Sequence, residues 1–174
     1  MEEVISNNEI EKKEIEEEVQ NANIETPFNP YLIKIRRDPF TLGQLIDKIR
    51  YKEVNFDTAF QRQHDLWDPE KQSRLIESVL LNLPLPAFYF DETDSEKQMW
   101  NVIDGLQRCS AFNNYIVKET LTLQNLEFLH EYEVPYAKLP RELSRRIEQT
   151  PLTVYVVEKG TPNTHRFAKC SQLL

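Results

Sequence analysis

Only three glycines occur among the 174 residues, so backbone positions that need glycine's freedom are few and each is informative. Two cysteines, Cys109 and Cys170, are too few for a disulfide framework and fit a reducing cytosol. The three histidines, His64, His130 and His165, are scattered. They have neither the i, i+4 spacing nor the cysteine partners of a zinc site, and no metal centre is expected. No Asp/Glu cluster has a metal-nuclease pattern. No apolar run is long enough to span a bilayer, and the N-terminus is acidic where a secretory leader would be basic and then apolar. Membrane insertion and secretion are disfavoured, and a cytoplasmic location is expected.

What is abundant is acid, unevenly placed. The formal net charge is −8, and residues 1–30 carry nine acidic residues against two lysines. That segment accounts for −7 of the total, so the remainder of the chain is almost neutral at −1. Residues 1–30 read as an acidic, disordered tail; the alternatives are a partner-docking helix or a segment that covers a basic groove. Residues 31–160 read as one domain and 161–174 as a short C-terminal segment with at most one helix. The 40% hydrophobic content is enough for one ordinary core.

Within the domain the first expected element is a helix over Thr41–Arg50, with Thr41 as N-cap and Leu42, Leu45, Ile46 and Ile49 at helical spacing. Val54, Phe56 and Phe60 alternate as in a strand running into Gln61-Arg62. Asp68-Pro69-Glu70 opens a second helix whose buried face is Leu75, Ile76, Val79, Leu80 and Leu83. Pro84 and Pro86 end it. A strand over Ala87–Phe90, a polar turn over Asp91–Gln98 and a returning strand over Met99–Ile103 follow. A helix over Leu106–Val117 offers Leu106, Cys109, Phe112, Tyr115 and Ile116 to the core. After a less regular stretch come a helix over Arg141–Glu148 and a strand, Leu152–Val157, apolar on both faces and therefore central. The order is a mixed α/β (α+β) one.

The most informative stretch is Trp100–Arg108, where an apolar run ends in Asp104-Gly105 and Leu106-Gln107-Arg108 begin a helix. Free N–H groups and the positive dipole end at such a position favour an anion such as a phosphate. Asp104 as N-cap with Gln107 three residues on, a capping box, is the plain alternative. It leaves Arg108 unexplained, because a cation in the first turn opposes the dipole. If the strand end at Gln61-Arg62 abuts this turn, Arg62 and Arg108 reach one phosphate group; otherwise Arg62 is an ordinary solvated arginine. Trp67 reads as a core anchor in preference to a lid, and Cys109 as a small core residue in preference to a nucleophile. Asp104 or Glu77 are the carboxylates that would help hold magnesium through a bound nucleotide. Arg141, Arg145 and Arg146, with Lys138, are candidate DNA-phosphate contacts, the alternative being a solvated helix face.

Phe60-Gln61-Arg62, Trp67, Gln72 through Leu83 with Pro84-Leu85-Pro86, and Val102-Ile103-Asp104-Gly105-Leu106-Gln107-Arg108 occur in an order and spacing that resembles a known family. It is the Asp-Gly-Gln-Gln-Arg family, the N-terminal domain of GmrSD-type, modification-dependent restriction endonucleases, related to the ParB/sulfiredoxin fold. The resemblance spans roughly residues 40–160. It implies a ParB/sulfiredoxin-like, nucleotide-binding and often NTP-hydrolysing domain that works with DNA and controls a nuclease. Its implied ligand is a nucleoside triphosphate with Mg2+. Asp104, Gly105, Gln107 and Arg108 occupy the family motif and Gln61 and Arg62 the upstream one. All six are implied phosphate-binding residues, with Asp104, Gln107 and Arg108 also implied catalytic.

Two departures qualify that expectation. Leu106 stands where the motif has its first glutamine, which removes a polar group that would orient a phosphate or a water and puts hydrolysis in doubt. Family members continue into a further Arg- and Gly-bearing segment, helices and often an HNH nuclease, none of which is visible before Leu174. A chain truncated at its C-terminus and unable to cut DNA alone is therefore expected. The leading expectation is an NTP-binding regulatory domain of a DNA restriction or phage-defence system, acting with a separate nuclease subunit or as a homo-oligomer. The alternatives are a DNA-binding module without nucleotide chemistry, or a decayed fragment that folds poorly.

Overall fold

In the computed structural model, residues 34–56, 67–94 and 99–158 are described, apart from the side chains of Thr93 and Asp94. All belong to the second of the two units into which the chain divides, Ile33–Leu174. Residues 1–33, 57–66, 95–98 and 159–174 lie outside the described residues, and with them the expected acidic tail, Gln61-Arg62, His64 and the C-terminal segment.

Among the described residues a mixed five-stranded sheet carries four helices, the α/β class expected. Along the chain come β1 (Ile35–Thr41), α1 (Leu42–Arg50), β2 (Val54–Asn55), α2 (Pro69–Leu80), β3 (Phe88–Asp94) and β4 (Met99–Asp104). Next is α3, α-helical over Leu106–Phe112 and π-helical over Asn113–Val117, then α4 (Arg141–Gln149) and β5 (Pro151–Val157). Spatial strand order is β1-β5-β3-β4-β2. The β1–β5 and β3–β4 pairs are antiparallel, and β3–β5 and β2–β4 parallel. β5 is thus an interior strand, as its apolar run required.

The helix starts follow their local chemistry. Thr41 Oγ1 accepts from the Gln44 N–H while Gln44 Oε1 accepts from the Thr41 N–H at 2.8 Å, a full capping box. The Asp68 carboxylate caps α2 by accepting from the Lys71 N–H at 2.8 Å, with Pro69 at the first helical position. Leu42, Leu45, Ile46 and Ile49 of α1 and Leu75, Ile76, Val79 and Leu80 of α2 are buried in one cluster with Phe88, Phe90, Trp100, Val102, Leu152, Val154 and Val156 of the sheet. Gly43 is where α1 meets the end of α4: a Cβ there would lie 2.8 Å from the Glu148 carbonyl oxygen. That close approach places the Leu42 N–H 2.9 Å from the Thr150 carbonyl.

Several expectations need correction. β1 precedes the first expected helix; its alternation is hidden because Arg36 and Asp38, which pair at 2.9 Å, occupy inward-alternating positions of an edge strand that also holds Pro39. Leu83 is not on the buried face of α2, for the helix ends at Leu80, Asn82 turns with φ of 60°, and Leu83 is 50% exposed. β3 runs on to Asp94 through fully buried Asp91, where a polar turn was expected. The described part of the Val54–Phe60 strand is only Val54–Asn55.

A buried carboxylate anchors the middle of the irregular stretch between α3 and α4. Glu77 of α2 is buried and accepts the backbone N–H groups of Glu127, Phe128 and Leu129, the shortest at 2.7 Å. Arg74 pairs with it at 3.4 Å. Burial works against its charge, but the three backbone donors and Arg74 outweigh it and hold the carboxyl below its ordinary value.

Candidate functional site

β4 ends at Asp104, and the chain enters α3 through Gly105, whose φ of 98° lies in the left-handed region. A Cβ on Gly105 would fall 2.7 Å from Cδ1 and 3.1 Å from Cε1 of Phe88, a fully buried ring. Glycine is required here twice over, by backbone conformation and by packing. Gly105→Ala is expected to destabilise the domain by about 3 kcal/mol. Urea unfolding would measure it, and a change under about 0.5 kcal/mol would contradict this account of the turn.

Gly105, and not Asp104, is the N-cap of α3, and no side chain caps it. The expected capping box is absent because Asp104 turns to Arg108 and Gln107 turns to another element. Arg108 Nη2 lies 2.8 Å from Asp104 Oδ2 and donates to the Ala87 carbonyl at 3.1 Å, while Nη1 donates to the Pro86 carbonyl. The guanidinium also lies 4.2 Å from the Phe88 ring centre. Its side chain is 11% exposed. Arg108 therefore needs no external anion: a carboxylate, two carbonyls and a π face already compensate its charge. The Asp104–Arg108 spacing of four is a local signal for a pair, but the other three partners arrive on the approach to β3 and have none.

Gln107 Oε1 accepts the Trp67 N–H at 2.8 Å, and Gln72 Nε2 donates to the Trp67 carbonyl at 2.6 Å. The Trp67 peptide groups are thus pinned from both sides, by α3 and by α2. Gln72 Oε1 in turn accepts from Asn114 Nδ2 at 3.0 Å, at the π-helical turn of α3. Trp67 itself packs against the core, as expected. Gln72 lies in a recognised stretch but gave no sign of this role, a glutamine on a helix being usually solvated. Gln61 and Arg62, upstream of Trp67 in the chain, lie outside the described residues.

The remaining candidates separate. Cys109 is fully buried and its thiol is pushed up to about 12 by burial, which makes it a core residue without nucleophilic character at neutral pH. Glu77 is committed to backbone donors, far from the role of a magnesium ligand; Asp104, 43% exposed, is the one of the two at a surface. Among the described residues no group of three His, Cys, Asp or Glu comes together for a metal ion. On α4, Arg141 pairs with Glu148 at 2.9 Å and Arg146 donates to the Leu80 carbonyl at 2.8 Å. Arg145 and Arg146 line an open groove of about 520 Å³ with Asn82, Glu142, Gln149 and Thr150. Lys138 lies on the short 3-10 turn Tyr136–Lys138 before α4. No helix among the described residues is long and apolar enough to cross a membrane.

Comparison with known proteins gives one match, to a family model. No curated protein and no solved structure matches the chain. The family model for the GmrSD restriction endonuclease, N-terminal domain, matches residues 42–167, from the start of α1 to beyond β5 and across the Asp104–Arg108 turn. With most of its length inside that match, the chain belongs to the GmrSD restriction endonuclease N-terminal domain family and so to the context of DNA restriction systems.

Proposed function

We propose that this domain binds a nucleoside triphosphate at the Asp104–Arg108 turn and thereby regulates a nuclease of a DNA restriction or phage-defence system. The observation that carries this reading is Gly105: a left-handed glycine between the end of β4 and the first N–H groups of α3. The α3 start has no side-chain cap competing for those donors. In this reading Asp104, Gly105 and Gln107, with Gln61 and Arg62, surround the phosphates, and magnesium arrives with the nucleotide's own oxygens. Arg108 gives the turn its shape by holding Pro86, Ala87 and Asp104 together. Leu106 is 7% exposed and faces the core, so no polar side chain stands there to orient a water. Binding without efficient hydrolysis is the expected behaviour.

Calorimetric titration of the full chain with ATP, GTP, CTP and UTP in magnesium tests the reading. Saturable binding of at least one nucleotide is expected, with turnover far below that typical of NTPases. Absence of binding to all four would refute it. Salt-dependent DNA retention lost in Arg145→Ala would then favour the DNA-binding reading, since Arg145 lines the α4 groove.

A further inference from the structure

Phe128 is 68% exposed, and the backbone that carries it is fixed. The N–H groups of Glu127, Phe128 and Leu129 are all accepted by Glu77, that of Leu126 by Glu133 at 2.9 Å and that of Gln124 by Ser73 Oγ at 3.1 Å. A large apolar side chain on a rigid loop has little freedom left to lose when a partner covers it. The loop around it is acidic. Glu127, 64% exposed on its side chain, shares Arg74 with Glu77, and Glu131 is exposed as well.

A surface of the opposite character lies on the same domain. Arg145 and Arg146 line the groove beside α4, and the exposed Leu81 and Leu83 flank Asn82 in its lining. Arg145 has no ion pair among the described residues, while Arg146 is anchored on the Leu80 carbonyl. Both features stand at the last turn of α2, where Glu77 holds the Phe128 N–H and Leu80 holds Arg146.

We propose that the Phe128 loop of one copy docks in the α4 groove of a second copy, so that the chain forms a two-fold dimer. Glu127 meets the Arg145 guanidinium, and the Phe128 ring lies over the anchored Arg146. A guanidinium offers a flat cation to an aromatic face and a fork to a carboxylate. Complementary charge sets the register, and the aromatic ring supplies the buried anchor. In a two-fold arrangement each contact is made twice, and the assembly closes at two copies. A nucleic-acid backbone suits this groove less well. Glu142 is part of its lining, and Gln149 and Thr150 bring the negative end of the α4 dipole to it.

The test is sedimentation equilibrium of the full chain. The wild type is expected to form a reversible dimer that weakens as salt rises. Phe128→Ser is expected to raise the dimer Kd about thirty-fold and to leave the circular-dichroism spectrum unchanged, because the ring is exposed in the monomer. Glu127→Arg and Arg145→Glu are each expected to be monomeric. An equimolar mixture of those two variants is expected to dimerise, since every reversed charge then meets its opposite, a rescue that misfolding of either variant does not allow. A wild type that stays monomeric at about 100 μM overturns the proposal. So does a dimer indifferent to Phe128→Ser, or a mixture that fails to associate. Loss of salt-dependent DNA retention in Arg145→Glu with the dimer intact also overturns it and gives the groove to nucleic acid.

Discussion

Glu77→Gln is expected to lower the unfolding free energy by about 3 kcal/mol and the melting temperature by on the order of 10 °C. The wild-type carboxylate is 5% exposed on its side chain and satisfies three consecutive backbone N–H groups, Glu127 to Leu129. Glutamine can keep its Oε1 on all three N–H groups, but it removes the charge they share. The second oxygen, which also accepts from the Glu127 N–H and faces Arg74, becomes an NH2 donor set against donors. The stretch those bonds anchor brings Leu121, Leu123 and Leu126 into the core, so its release opens apolar surface beyond Glu77 itself. Arg74→Ala is expected to cost under about 1 kcal/mol, because Arg74 is 38% exposed.

The pH dependence has a definite sign. Because folding lowers the Glu77 pKa from its ordinary 4.5, the stabilisation is complete above that value and is lost as pH falls through the folded pKa. Wild type should therefore lose stability more steeply below about pH 4.5 than Glu77→Gln does. Chemical unfolding followed from pH 6 to pH 3 would show the two curves converging. Parallel curves would mean that the clamp does not bear the charge assigned to it.

Arg108→Ala is expected to cost about 2–3 kcal/mol of stability before any ligand is considered. It removes donors from two backbone carbonyls and from Asp104, and takes a cation off the Phe88 ring. Arg108→Lys is expected to recover less than half of that, since one ammonium cannot reproduce a planar fork that spans Pro86, Ala87 and Asp104. Asp104→Asn is expected to be milder, because both carbonyl bonds remain. Thermal unfolding of the three variants without nucleotide makes the comparison. An Arg108→Ala protein as stable as wild type would restore the idea that this arginine serves mainly as an anion ligand.

These two residues also mark where sequence reasoning stopped. The Thr41 and Asp68 caps and the apolar periods of α1 and α2 were legible, as were the interior character of β5 and the need for glycine at 105. Each depends on residues within a turn or two of one another. Arg108 stands out as a cation placed against a helix dipole, and its compensation comes from within the domain, from the Asp104 carboxylate and three groups on the approach to β3. Its carbonyl partners lie 21 and 22 positions earlier in the chain. The spacing of Gln107 allows a phosphate contact or a capping box, and its acceptor oxygen serves instead a backbone N–H 40 positions away. Glu77 was weighed only as a metal ligand, because its donors lie 50 to 52 positions downstream in a stretch without periodicity.

The sequence by itself determined the mixed α/β class, most of the core, the family and the strand–glycine–helix turn at Gly105. Those follow from apolar period, capping chemistry and backbone conformation, which act over a few residues. Only the tertiary structure decided what the polar side chains around the turn hold. Charged and amide groups are selective for geometry, and the partners that satisfy them were brought in by the packing of β3, α2 and α3 around one core.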